Sequence, residues 1–415
     1  MCMPPLFRRC LLRCFLLLAI SIANLITAQA NDNDESIDPP APQEWVVVLD
    51  DPRPARLQGW VRNGYGKGSG NYQGALELKR FGKSVAAKYK MELRDQWFIP
   101  SLEVYCLVVR FNEDQEETIA QLKLDKSIQW IQPSNEFKLL STPNASRSTK
   151  ISGADKISAP MVKHNVDGSG VIIAVIDSAV DDSHQDLTGQ IDKVGDFVVT
   201  STRDTSVNKK KTGESHGTAI AGVMIADRNT KLGVAGIAPA ATLQAYRGCW
   251  EVSNSDHTNC NTLSLARALD AVLESQADIL NLSLSGPKDF LLERLLQRII
   301  DRGTIVVTAF DPARPTDSRF PTARDGVLVV RAKGLDKQHS RFFTAPGARV
   351  VASPGNGYNF MHGHSVATAY TSGLLALRKQ ALDSGRKLGI KNKDWRQISD
   401  TGAAEELLSD ILESS

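Results

Sequence analysis

From about residue 156 onward, short apolar runs alternate with longer stretches that have helical periodicity. The first run, GVIIAVID, is continuously apolar, as expected of a parallel strand that is covered on both faces. Further strands are predicted in ATLQAYR, ADILNLSLS and GTIVVTAF, and helices in GTAIAGVMIA, LSLARALDAVLESQ and FLLERLLQRIIDRG. Alternating strands and helices are typical of an α/β domain. We therefore predict an α/β fold over residues 155–385, with helices on both faces of a parallel sheet.

The N-terminus has the three parts of an export signal. Three arginines precede an apolar run at residues 15–26, and Ala28 and Ala30 provide the small residues that a signal peptidase reads. The run has about 12 residues, fewer than the roughly 20 that a membrane-spanning helix needs. We therefore expect residues 1–30 to be a signal peptide, and the mature protein to be secreted or periplasmic with no membrane attachment.

A smaller α+β unit is predicted at residues 44–141. Strands in EWVVVLD, LEVYCLVVRF and SIQWIQPS accompany an amphipathic helix in DQEETIAQLKL. The acidic, proline-containing residues 31–43 are predicted to be a disordered lead-in. Residues 142–154 are predicted to be an exposed linker, and residues 386–415 a polar tail.

The charge balance and the cysteines limit the classes of partner and of metal site that we expect. The 49 basic and 47 acidic side chains leave a net charge of +2, which gives no reason to expect a nucleic-acid partner. Cys106 lies in a strand-like run and is expected to be buried. Cys249 and Cys260 lie close together in a polar loop, and in an oxidising compartment such a pair more often forms a disulfide than a metal site. We predict the disulfide and assign no metal ligands.

Three short segments carry residues that could perform chemistry. Asp177 ends a buried strand in AVIDSAVDD, His216 begins a predicted helix in ESHGTAIAG, and Ser365 lies in GHSVATAYTSG. Taken alone, Asp177 or Ser365 also fits a helix cap. Together they supply a hydroxyl nucleophile, an imidazole that can take its proton, and a carboxylate that fixes the tautomer of the imidazole. At a helix N-terminus, the backbone N–H of Ser365 could also hold a developing oxyanion.

These segments resemble the motifs of subtilisin-like serine peptidases, the subtilase family. DSA, HGTAIAG and GHSVATA stand where that family has D-[ST]-G, H-G-T-x-V-A-G and G-T-S-M-A-x-P. The match covers roughly residues 159–377, and residues 44–140 resemble, more weakly, the family's inhibitory propeptide. The resemblance implies a subtilisin-like sheet and a secreted serine endopeptidase that is made as a zymogen. It implies two partners: a peptide or protein substrate and the chain's own propeptide-like segment. It also implies that the chemistry requires no cofactor. Subtilases often bind structural calcium, but the sequence places no calcium site.

The resemblance also assigns a substrate cleft. It implies five substrate-binding residues on two strands: Ser283, Leu284, Ser285, Ala309 and Phe310. A phenyl ring at Phe310, where the family has glycine, is expected to narrow or fill the pocket. The family's second oxyanion donor is an asparagine, and here the matching residue is Asp311. An ionised carboxylate cannot donate a hydrogen bond, so Asp311 would have to act in its protonated form.

Two functions remain open from the sequence. One is an active secreted endopeptidase whose activity is reduced by the non-standard oxyanion hole. The other is a catalytically impaired relative that binds peptides or serves as a scaffold, since a shared fold does not guarantee activity.

Overall fold

The computed structural model describes residues 43–51, 71–112, 115–140, 166–198, 214–227, 233–251, 258–313, 318–333 and 342–385, without the side chains of 71–75. The predicted signal peptide, linker and C-terminal tail lie outside these ranges, as does all of the predicted lead-in except Gln43. None of the helices in these ranges has the length and apolar character that crossing a membrane requires.

The described residues between 44 and 140 form a four-stranded antiparallel sheet and two helices. The elements are β1 (Trp45–Asp50), α1 (Asn71–Lys88), β2 (Met91–Ile99), β3 (Val104–Phe111), α2 (Gln115–Leu124) and β4 (Ile128–Pro133). The strand order is β2-β3-β1-β4. The sequence predicts β1, β3, α2 and β4 but not α1 or β2. The helix α1 contains Gly74 and Gly82, and a register shift between Leu93 and Asp95 breaks the alternation of β2.

Among the described residues, the largest sheet consists of seven parallel strands. They are β6 (Ile172–Asp177), β7 (Ile191–Asp196), β8 (Thr242–Arg247), β11 (Ile279–Leu282), β13 (Ile305–Ala309), β15 (Val327–Ala332) and β16 (Phe343–Ala345). Their order across the sheet is β16-β15-β13-β11-β6-β8-β7. The predicted apolar run GVIIAVID forms β6, which lies inside the sheet with β11 on one side and β8 on the other.

Helices cover both faces of this sheet. They are α3 (His216–Ile225), α4 (Thr262–Glu274), α5 (Phe290–Asp301) and α6 (His364–Asp383). On β6, Ile173 and Val175 belong to the apolar cluster that contains α3 and α6. Ala174 and Ile176 point the other way, into the cluster that contains α4 and α5. The predicted α/β architecture is confirmed.

A third sheet runs across the end of the N-terminal segment. Its antiparallel strands, in spatial order, are β14 (Arg319–Phe320), β12 (Leu284–Pro287), β5 (Glu136–Leu139), β10 (Thr258–Asn261) and β9 (Cys249–Glu251). The central strand β5 directly continues the N-terminal segment. A separate hairpin consists of β17 (Ala348–Ser353) and β18 (Gly357–His362).

The N-terminal sheet packs on α4 and α5. Val46, Val108 and other residues of β1 and β3 share one apolar cluster with these two helices. Polar contacts reinforce the packing. Asp289, the N-cap of α5, accepts hydrogen bonds from Gln132 at 2.8 Å and from Asn135 at 2.9 Å. The N-terminal segment is therefore held by both buried apolar surface and satisfied polar groups.

Candidate active site

The last residue of β6 and the first residue of α3 form a buried hydrogen-bonded pair. Nδ1 of His216 lies 2.7 Å from Oδ1 of Asp177, and both side chains are fully buried. The N–H of Ser178 also donates to this carboxylate oxygen, which fixes its orientation. A carboxylate at Nδ1 holds the ring proton there, so Nε2 is the basic nitrogen. The structure thus brings together the predicted acid and imidazole in the arrangement that a general base requires.

Residue 217 must be glycine for this pair to form. A Cβ atom at Gly217 would overlap the backbone carbonyl oxygens of Ser178 and Ala179. Its N–H instead donates to the hydroxyl of Ser178 at 3.0 Å. The glycine of the HGTAIAG motif therefore allows α3 to begin directly against the loop that follows Asp177.

A buried ion pair braces the same loop. Glu214 accepts a hydrogen bond from the N–H of Ala179 at 2.6 Å and pairs through both oxygens with Arg247, the last residue of β8. Burial alone would lower the pKa of Arg247, but hydrogen bonds and charge from Glu214, with a further contribution from Asp196, raise it above its ordinary value. The guanidinium is therefore charged and neutralises the carboxylate beside the site.

Ser365 lies at the start of α6 and is fully buried. Gly363, the residue before the helix, has a φ of 148°, a conformation that favours glycine. The hydroxyl of Ser365 lies 3.4 Å from the carbonyl oxygen of Ser283. Because α3 and α6 pack against each other, the serine and His216 lie on the same face of the sheet.

The predicted substrate strand is occupied by the chain itself. Leu284 pairs with Leu139 and Ser285 with Lys138, so β5 runs antiparallel along β12. Beyond β5, the N–H of Leu140 donates to the carbonyl oxygen of Ser283 at 3.1 Å. Since the hydroxyl of Ser365 lies beside that same carbonyl, residue 140 reaches the immediate neighbourhood of the serine.

One side chain anchors β5 between its neighbours. Phe137 is fully buried and lies edge-on to Phe320, with ring centroids 5.7 Å apart. A Cβ atom at Gly286 would overlap the ring of Phe137. On the other side, Phe137 pairs with Cys260 of β10. Gly286 thus leaves a recess that an aromatic side chain three residues before Leu140 fills.

Asp311 forms a polar cluster with a residue that the sequence did not single out. Its Oδ2 accepts a hydrogen bond from the hydroxyl of Ser285 at 2.8 Å and lies 3.2 Å from Nε of Arg319. Its Oδ1 accepts from the N–H of Ala313. Each of these partners offers a hydrogen-bond donor to the carboxylate. The expectation that Asp311 acts as an oxyanion donor stays a prediction.

Phe310 packs beside the start of α6. Its ring centroid lies 5.0 Å from that of Phe342 and 5.5 Å from that of His364, and the guanidinium of Arg331 lies 5.0 Å from it. Ala309, the last residue of β13, is fully buried just before it. The expectation that Phe310 narrows the substrate pocket stays a prediction.

Cys249 and Cys260 form a disulfide that joins β9 directly to β10. Cys106 is buried in β3. Within the described ranges, no group of three or more His, Cys, Asp and Glu side chains could hold a metal ion.

Sequence reasoning missed four charged residues around the site: Glu214, Arg247, Glu251 and Arg319. Arg247 carries a faint signal, because a buried strand that ends in arginine needs a carboxylate partner. The identity of that partner cannot be read from the sequence, since Glu214 and Arg247 are 33 residues apart.

Comparisons with known proteins agree with this geometry. The profile of the subtilase family (Peptidase_S8) matches residues 168–405. The thermophilic serine proteinase of Bacillus sp. (strain AK1) is 32% identical over 220 residues, which cover 50% of this chain and 52% of that protein. Thermitase of Thermoactinomyces vulgaris is 28% identical over 241 residues, which cover 55% of this chain and 82% of thermitase.

A solved structure shares the fold. Fervidolysin from Fervidobacterium pennivorans, described as a keratinolytic enzyme related to subtilisin, superposes with a TM-score of 0.58 at 16% identity. The match covers 82% of this chain and 55% of fervidolysin. The chain thus spans about half the length of fervidolysin and of the thermophilic serine proteinase.

Proposed function

The chain belongs to the subtilase family, and we propose that it is an exported serine endopeptidase that is made as a zymogen. The observation that carries the proposal is the buried pair of Asp177 and His216 at 2.7 Å, with Ser365 at the start of the helix that packs against α3. Export is supported by the signal-like sequence of residues 1–30.

The proposed reaction follows from the chemistry of these three side chains. Ser365 Oγ bonds to the carbonyl carbon of the scissile peptide while Nε2 of His216 takes the hydroxyl proton. His216 then gives this proton to the leaving amine as the C–N bond breaks, which leaves an acyl-enzyme. Water attacks the acyl group by the same proton transfers and regenerates Ser365. Asp177 stabilises the imidazolium at each step, and the N–H of Ser365 donates to the oxyanion.

Substrate is proposed to bind as an extended strand between β12 and β10. The support is β5, which already occupies that position through antiparallel pairing on both sides. Backbone pairing of this kind gives affinity to an extended peptide, and side-chain recesses give selectivity. The recess at Gly286 is expected to select an aromatic or large apolar side chain three residues before the residue after which the chain is cleaved.

The N-terminal segment is proposed to be both inhibitor and first substrate. Leu140 is the residue whose N–H reaches the carbonyl of Ser283 beside Ser365. Cleavage is therefore proposed after Leu140, at the bond to Ser141. Until β5 dissociates, it would exclude other peptides from the cleft.

Labelling with a fluorophosphonate tests the nucleophile. After release of the N-terminal segment, by the protein's own activity or by added trypsin, we expect covalent labelling of wild-type protein and none of Ser365→Ala. His216→Ala is expected to slow labelling by about 10³-fold or more. Ser384→Ala, at the exposed end of the same helix, serves as the matched control. Labelling that ignores these substitutions, or no labelling of the released wild-type protein, would contradict the proposal and favour a non-catalytic peptide binder.

A further inference from the structure

We propose that Glu251 is a positioning residue for His216: it caps the helix that His216 begins and helps to set the pH range in which the imidazole can act as a base. The inference rests on the proposed function only for its consequence in catalysis. The placement of Glu251, and the titration that tests it, do not depend on turnover.

The contacts of Glu251 are those of a helix cap supplied from a distant strand. Its Oε1 accepts hydrogen bonds from the N–H groups of Ser215 and His216, at 2.6 and 3.0 Å. It also lies 3.2 Å from the hydroxyl of Ser215. Ser215 occupies the N-cap position but makes no side-chain cap bond of its own. Glu251 therefore caps N–H groups at a helix start, where the helix itself provides no acceptor.

The position of Glu251 is itself constrained. It ends β9, where it pairs with Thr258 of β10. The disulfide between Cys249 and Cys260 joins these two strands two residues earlier on β9. The strand that holds the start of α3 is thus covalently tied to the strand that borders the substrate position. A rigid support of this kind keeps the imidazole at a fixed position relative to the cleft.

The carboxylate also contributes charge at the first residue of α3. A negative charge at this end of a helix stabilises both the helix dipole and a nearby imidazolium. Seven other titratable or charged groups lie beside α3 or on the elements that contact it, counting only the start of α6: Asp177, Glu214, Tyr246, Arg247, Arg349, His364 and Tyr370. Glutamine at position 251 would keep a hydrogen-bond acceptor and leave these groups in place. A difference between glutamate and glutamine therefore reports the charge of Glu251.

Removal of the charge of Glu251 should change the titration of His216 in a defined direction. Without the carboxylate, the imidazolium is less stable, so His216 loses its proton at lower pH. Because activity requires the neutral imidazole, the acid limb of the pH–rate profile should move to lower pH. A residue that only maintained the fold would reduce activity without moving this limb.

Titration of His216 by NMR in the full-length Ser365→Ala chain tests the charge without requiring activity. In that background Glu251→Gln is expected to lower the midpoint of the His216 imidazole by about 0.5 pH unit. His216→Ala identifies the resonance. Glu274→Gln, which removes the same charge at the exposed end of α4, should leave the midpoint unchanged. An unchanged midpoint in Glu251→Gln would overturn the proposal.

Kinetics test the positioning role in the active chain. In Glu251→Gln, the acid limb of the pH profile of kcat/KM is expected to move to lower pH, as in the titration. In Glu251→Ala, kcat is expected to fall by a further factor of about 10, while KM changes less than about twofold. A wild-type kcat in Glu251→Ala would contradict the positioning role. If the wild-type chain has no activity, the proposed function fails while the NMR titration still decides the placement of the charge.

Discussion

At the scale of single residues, the departure from the subtilase pattern at Asp311 is accommodated by two neighbouring side chains. Asp311 stands where the family resemblance implies asparagine. In the structure it accepts a hydrogen bond from Ser285 and pairs with Arg319, which also donates to Ser285. Because Arg319 supplies a compensating positive charge, a carboxylate can lie in the cleft wall without being left unpaired.

Asp311→Asn tests this interpretation. Asparagine can donate a hydrogen bond to an oxyanion and carries no negative charge, so we expect kcat to rise by about 10-fold or more. If Asp311 is ionised throughout, the gain should be the same from about pH 6 to about pH 9. Asp301→Asn, at the exposed end of α5, is the matched control. A gain confined to alkaline pH would show that Asp311 works in its protonated form, and a loss of kcat would contradict both roles.

At the scale of elements, α4 carries a carboxyl group that the N-terminal segment covers. Ser101, in the turn between β2 and β3, donates to Oδ1 of Asp270 through its hydroxyl and its N–H. Burial, with a smaller effect from the charge of Glu274, raises the pKa of Asp270 to about 6, although the bonds from Ser101 act in the opposite direction. The contact between the turn and α4 is therefore sensitive to pH.

The sign of this dependence follows from linkage. The folded chain binds the Asp270 proton more tightly than the unfolded chain, so the stabilisation is complete below about pH 4 and is lost as the pH rises through about 6. We expect the unfolding free energy of the Ser365→Ala chain to lose about 2–3 kcal/mol over this interval from Asp270 alone. In Asp270→Asn, this part of the pH dependence of the unfolding free energy should disappear. Denaturant titrations at several pH values measure it, and an identical slope in both chains would contradict the assignment.

The sequence predicts elements better than it predicts their contacts. Strand β6 is readable because its run is continuously apolar, and the motifs around Asp177, His216 and Ser365 are readable because each needs a glycine or small neighbour. The helix α1 and the strand β2 were missed, since glycines weaken one periodicity and a bulge interrupts the other. Glu251 could not be predicted as the cap of α3, because its contacts are made 35 or 36 residues away in the chain and no local pattern records them.

At the scale of the whole molecule, the N-terminal segment and the α/β part are connected through shared packing and a shared sheet. The N-terminal sheet covers α4 and α5, its last strand leads into β5, and β5 enters the sheet that also contains β12 and β10. The apolar cluster between the sheet and the helices holds the segment in place, while Leu140 reaches Ser283. This continuity supports the proposal that the protein is a zymogen that cleaves its own chain.

The most direct test is the mass and N-terminal sequence of the protein after purification at neutral pH. The account predicts cleavage between Leu140 and Ser141 in the wild-type chain and in Ser384→Ala, and a chain that stays uncleaved at that bond in Ser365→Ala. Equal cleavage of all three chains at this bond, or a wild-type chain that remains joined across it, would contradict the account.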